Sequence, residues 1–208
     1  MFRAKTLRGS PGSSATASAA PSRALEWLWQ DFRDVKRPRI LDCGPAYQAT
    51  LDVLLKRGAK LYLTDLITLA RQAEPKFIHR LGKTTVFLLD NFIENLPPIP
   101  PESLSAIVCW HLLDLLPREA LPGLVTKLWS YIRPGGVLFC LLREPSLTNG
   151  AGTRWWFESL ITLGSDIESE LPFLYPALTN REIERLVPGS NVKTFLTRSA
   201  RREVLAIK

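Results

Sequence analysis

Apolar side chains recur along the chain at two spacings, and stretches of one spacing alternate with stretches of the other. Leu25, Leu28, Trp29 and Phe32 fall on one helical face, with Ser22 placed to cap the start and Pro38 to end the run. Beyond them come short apolar runs of strand length at 39–43, 60–64, 85–89, 106–110 and 137–142. Segments of helical periodicity, such as 49–57 and 118–132, separate these runs. Strands alternating with helices predict a parallel sheet covered on both faces. The ending breaks this rhythm. Two strand-like runs, 192–197 and 203–207, are joined by the short polar link 198–202, which predicts an antiparallel hairpin.

A length of 208 residues suits one well-buried domain. No uninterrupted apolar stretch approaches the roughly 20 residues of a membrane span, so none is expected. Residues 1–21 are rich in Ser, Ala, Gly and Pro and offer almost no large apolar side chain, which predicts a disordered tail ahead of a domain at 22–208. The tail's acid-free, Arg- and Ser-bearing make-up also suits a transit segment, but it lacks an apolar stripe; a secretory signal is not expected without a continuous apolar core. The formal charge of +7 narrows once this end is set aside: Arg3, Lys5, Arg8 and Arg23 have no acidic neighbours, leaving 23 basic against 20 acidic residues. A balanced domain gives no reason to expect a nucleic-acid partner. Cys43, Cys109 and Cys140 each lie inside an apolar run with no CxxC spacing, which predicts buried free thiols rather than a metal site, and a reducing, cytoplasmic setting.

The segment Arg39-Ile-Leu-Asp-Cys-Gly-Pro-Ala-Tyr-Gln has a strand ending in an acid and a turn opening a helix, with Gly44 letting the backbone pass close to a ligand. Leu63-Thr-Asp-Leu ends the second run and puts Asp65 about 20 residues further on. The third run ends in Leu89-Asp-Asn-Phe, with Leu96-Pro97 following. The fourth is Ser103-Leu-Ser-Ala-Ile-Val-Cys-Trp-His-Leu-Leu-Asp, and Tyr131-Ile-Arg-Pro-Gly-Gly-Val-Leu leads into the fifth. In this order the segments resemble the class I S-adenosylmethionine-dependent methyltransferases. Ala46 and Gln48 stand where that family has its next glycines, and Ala106 where it has an Asp.

The resemblance implies a Rossmann-like α/β fold, with a mostly parallel seven-stranded sheet whose last strand is antiparallel. It implies S-adenosylmethionine as cofactor, held by Asp42, Gly44, Pro45 and Ala46 in the first turn. Asp65 and Leu66 would sit at the ribose, Asp90 and Asn91 at the adenine, and Trp110 beside the transferred methyl. From position alone, Asp65 could also cap the helix expected at 66–73, a role compatible with ribose binding, and Asp90 could equally be a plain turn residue.

His111 and Asp114 follow the fourth strand, where ligands bind in open α/β sheets, so His111 is the candidate general base. Trp155, Trp156 and Phe157 come just after Asn149-Gly-Ala-Gly and read either as acceptor-pocket walls or as helix packing. Arg198, Arg201 and Arg202 read as a solvated turn. Two functions result. One is methyl transfer to a small-molecule or protein acceptor that the residues do not specify; the other is a non-catalytic methyltransferase-like protein that binds a ligand or a partner protein.

Overall fold

The computed structural model describes residues 18–72, 75–81, 84–144, 152–168, 175–187, 189, 191–197 and 201–208. In chain order its first elements are β1 (Ser18–Pro21), α1 (Arg23–Asp31), β2 (Arg39–Asp42), α2 (Gln48–Lys56), β3 (Lys60–Leu63) and α3 (Leu66–Gln72). Then come β4 (Ile78–Leu81), β5 (Thr84–Phe87), α4 (Leu89–Ile93), β6 (Leu104–Trp110), α5 (Leu121–Tyr131) and β7 (Ile132–Arg143). The last are β8 (Gly152–Ser159), β9 (Thr162–Glu168), α6 (Asn180–Leu186), β10 (Asn191–Leu196) and β11 (Arg201–Ile207).

The main sheet runs β10-β11-β7-β6-β2-β3. Its four strands from β3 to β7 are mutually parallel, while β11 is antiparallel to β7 and to β10. The terminal hairpin and the antiparallel last strand therefore form as the pattern predicts. All seven residues of β6 are buried, which explains why this strand reads as an unbroken apolar run instead of alternating. Helix α5 packs on the neighbouring β7 and buries Leu121, Leu124, Val125, Leu128 and Tyr131.

Among the described residues the sheet has six strands, where seven were expected. The run expected to be the third parallel strand forms β5, which pairs antiparallel with β4 just before it. Only two residues separate these strands, so their pairing closes a far shorter loop than pairing with β3 would. Leu89, expected to end that strand, begins α4.

A second sheet, β1-β9-β8, was not foreseen. It claims four residues of the expected tail: Ser18–Pro21 pair with β9, helped by the Ser18 and Ser165 hydroxyls at 3.0 Å. Such small residues bury little, and it is their backbone that the ladder uses. The earlier part of the tail lies outside the described residues, as does the Asn149-Gly-Ala stretch. Trp155, Trp156 and Phe157 are in β8, not on a helix, so neighbours point to opposite faces. Trp155 and Phe157 turn inward, and Trp156 lies across Gly164 of β9, where an added Cβ would sit 2.2 Å from its indole nitrogen.

The expected solvated turn is also corrected. Arg198 lies outside the described residues, but Arg201 and Arg202 are buried in β11, as is Glu203. Burial is tolerated for Arg202 because its guanidinium donates to the carbonyls of Arg143 (2.8 and 3.1 Å) and Leu178 and to Asn180 Oδ1 (2.6 Å). It thereby ties the entry to α6 onto the end of β7. Arg202→Met would keep the apolar stem and leave those acceptors without a donor, so urea unfolding should show a loss of about 3 kcal/mol. A loss below about 0.5 kcal/mol, the scale of an ordinary surface change, would contradict this role for Arg202.

Candidate functional site

The carboxyl ends of β2, β3 and β6 come together at one edge of the main sheet, where open α/β folds bind ligands. At the end of β2 the buried Asp42 turns its Oδ1 back to accept from Gly44 N at 2.9 Å and from Trp110 Nε1 at 2.8 Å. One oxygen thus fixes the start of the loop and the indole at the end of β6. Gly44 is required by that indole: a Cβ there would lie 2.4 Å from Trp110 Cδ1. Edge-to-face contacts with Phe139 and Phe157, at 5.9 and 5.3 Å between ring centres, hold the indole in place. Above the loop, Phe157 N donates to Thr50 Oγ1 of α2 at 3.0 Å, which fastens β8 over this edge.

Of the predicted cofactor residues, Asp42, Gly44, Leu66 and Trp110 are buried against protein, whereas Ala46, Asp90 and Asn91 are exposed. Pro45 and Asp65 are intermediate. Asp65 Oδ1 accepts from Thr68 N at 2.9 Å, the cap expected of it, and no hydrogen bond among the described residues occupies its Oδ2. Asp90 stands in the first turn of α4. Asn91 spends its side chain on the carbonyl of Lys76 at 2.8 Å.

His111 occupies a left-handed conformation, φ 53°, which turns the chain sharply out of β6. Its Nε2 accepts from Trp155 Nε1 at 3.0 Å; since an indole only donates, the ring proton sits on Nδ1, 3.3 Å from Asp114 Oδ2. Asp114 in turn accepts from Arg143 N at 2.8 Å. Both ring nitrogens are therefore engaged inside the protein. This places His111 in a network joining β6, β7 and β8. Sequence reasoning missed that Trp155 would cross to it. The available signal was the run of three aromatic residues, Trp155-Trp-Phe157, since aromatic side chains favour strands.

Burial raises the Asp42 carboxyl from its ordinary 3.8 to about 6, against the opposing bonds from Gly44 and Trp110, and the Asp65 charge adds to the rise. A folded pKa above the unfolded one means that the protonated form favours folding, and that this contribution is lost as pH rises through about 6. Asp42→Asn keeps an acceptor for both N–H groups without the charge. Above the shifted pKa the variant should be more stable than the parent by roughly 2–3 kcal/mol, and the advantage should shrink as pH falls toward the unfolded value. Urea unfolding across that range checks it; a pH-independent loss would contradict it.

No family model and no curated protein matches the sequence. Among solved structures, a candidate type 11 methyltransferase from Sulfolobus solfataricus is similar at 14% identity and TM-score 0.50, covering 90% of this chain and 92% of that one. A SAM-dependent methyltransferase from Archaeoglobus fulgidus is similar at 11% identity and TM-score 0.50, covering 88% of this chain and 94% of that one. At such identities the likeness speaks to architecture. The chain has the Rossmann-like α/β fold of these methyltransferases.

Proposed function

We propose that this protein is an S-adenosylmethionine-dependent methyltransferase acting on an acceptor other than nucleic acid. The observation that carries the reading is Asp65: a carboxylate at the end of β3, in a fold shared with methyltransferases, whose Oδ2 has no hydrogen bond among the described residues. That oxygen would accept from the ribose hydroxyls, with Leu66 behind it and with Asp90 and Asn91 at the adenine. Pro45 and Ala46 fit the approach of the cofactor, being at least partly open to solvent, whereas the face of Gly44 is filled by Trp110. The cofactor supplies an electrophilic methyl on a sulfonium. What this chain contributes is position and dryness, which suffice for an in-line displacement without a nucleophile from the protein.

A second reading has its own support. The indole over Gly44 and the double engagement of His111 suit a protein that keeps the fold and binds a ligand or a partner protein without transferring a methyl.

Calorimetry of the full chain with S-adenosylmethionine and S-adenosylhomocysteine separates the two. The methyltransferase reading expects measurable heat, and Asp65→Ala should weaken binding by ~1.5–3 kcal/mol, about tenfold or more. Asp65→Asn retains the cap on α3 and serves as the folding control. Absence of heat with either ligand at millimolar concentration would reject the methyltransferase and favour the second reading.

A further inference from the structure

A pocket of about 360 Å³ opens beside β11, between the start of α1 and the last residues of β10. This volume falls at the low end of the range for small-molecule sites, about 300–1,000 Å³. Arg201 and Glu203 line it from alternate positions of β11, so both point to the same face of the sheet. That strand is held on both sides, by β7 and by β10, which fixes the spacing of the two side chains.

Neither side chain forms an ion pair among the described residues, and the two meet only through the field each exerts on the other. Glu203 is fully buried, and its Oε2 accepts from Ser22 Oγ at 2.9 Å and Ala24 N at 3.2 Å. Its Oε1 has no hydrogen-bond partner among the described residues. Arg201 is 6% exposed and lies over Trp155, with its central carbon 3.9 Å from the ring centre. No carboxylate among the described residues lies within ion-pairing distance of it, and its buried Nε has no partner. An unmatched buried donor and acceptor each cost stability, and a cost of that kind is offset when a ligand supplies the missing groups.

The pocket's chemistry limits what that ligand can be. Arg23 and Arg201 against Glu203 make the lining net positive, which favours an anion. Trp155 covers the guanidinium from one side, and the planar fork of N–H groups matches a carboxylate. Pro21, Phe195 and Leu196 supply apolar wall. We propose that this pocket binds a small organic carboxylate that also carries a hydrogen-bond donor, the carboxylate meeting Arg201 and the donor meeting Glu203. The site is separate from the loop after β2, and its occupancy does not depend on S-adenosylmethionine.

Anthranilate has these features on one ring: a carboxylate, an amine donor and an apolar body. Titrating it into the ¹⁵N-labelled full chain, without cofactor, should shift the Trp155 indole N–H, because Arg201 covers that ring. Aniline, lacking the carboxylate, and benzoate, lacking the donor, should each bind more weakly by about tenfold or more, the scale for a lost hydrogen bond to a charged group. Arg201→Gln should abolish the response. Leu196→Glu provides a variant at a rim residue that is 72% exposed, where folding is unaffected and an added negative charge should weaken binding by a similar factor. Saturable binding with this order of ligands and both losses is the expected result. No response at millimolar anthranilate, equal binding of aniline, or binding unchanged in Leu196→Glu would each overturn the proposal.

Discussion

Asp42 Oδ1 is the constraint from which the rest of this edge is built. By accepting from Gly44 N and Trp110 Nε1 together, it joins the end of β2 to the end of β6 and sets the path of the intervening loop. Two consequences follow from sterics. Position 44 has room for no side chain, and the indole becomes a platform on which Phe139 of β7 and Phe157 of β8 pack edge-on. A carboxylate so deeply buried costs desolvation, and the two N–H donors are what make it tolerable. In a fold where backbone at this point usually approaches a ligand, part of the approach is here taken by the protein's own tryptophan.

Polar contacts of the same kind tie the periphery to the sheet through β11. Glu203 reaches the first turn of α1 through Ser22 and Ala24, and Arg202 on the opposite face reaches the entry to α6. Ser22 both accepts from Leu25 N as the cap of α1 and donates to Glu203, so local helix formation and long-range docking share one hydroxyl. Charges within the sheet thus hold the periphery from both faces of β11, and on the face of Arg201 and Glu203 they also line a pocket.

Much of the parallel core could be read from the sequence, because β2, β3, β6 and β7 lie under helices and show as apolar runs between helical segments. The terminal hairpin was readable from its short polar link. Where the reading failed, a non-local or competing contact decided the outcome. The run at 84–87 has strand character, but its own apolar pattern does not distinguish a partner two residues away, 78–81, from β3. Arg201 and Arg202 look like turn residues because nothing local shows that carbonyls from β7 and from the entry to α6 await one of them, and an indole the other. At the site, the acids at 42 and 65 were legible as the ends of strands. The indole that closes over Gly44 and the one that occupies His111 depend on pairings across 66 and 44 residues, which no local pattern encodes.

The exchange rate of the Trp110 indole proton tests the central constraint most directly, since that proton is the one Trp110 donates to Asp42 Oδ1. Measured by hydrogen exchange in the full chain, it should exchange only through global unfolding, far more slowly than the indole proton of Trp156, which is bonded to the exposed Glu158. Exchange of Trp110 at the rate of Trp156 would mean that the Asp42 clamp is open in solution, and would contradict the account.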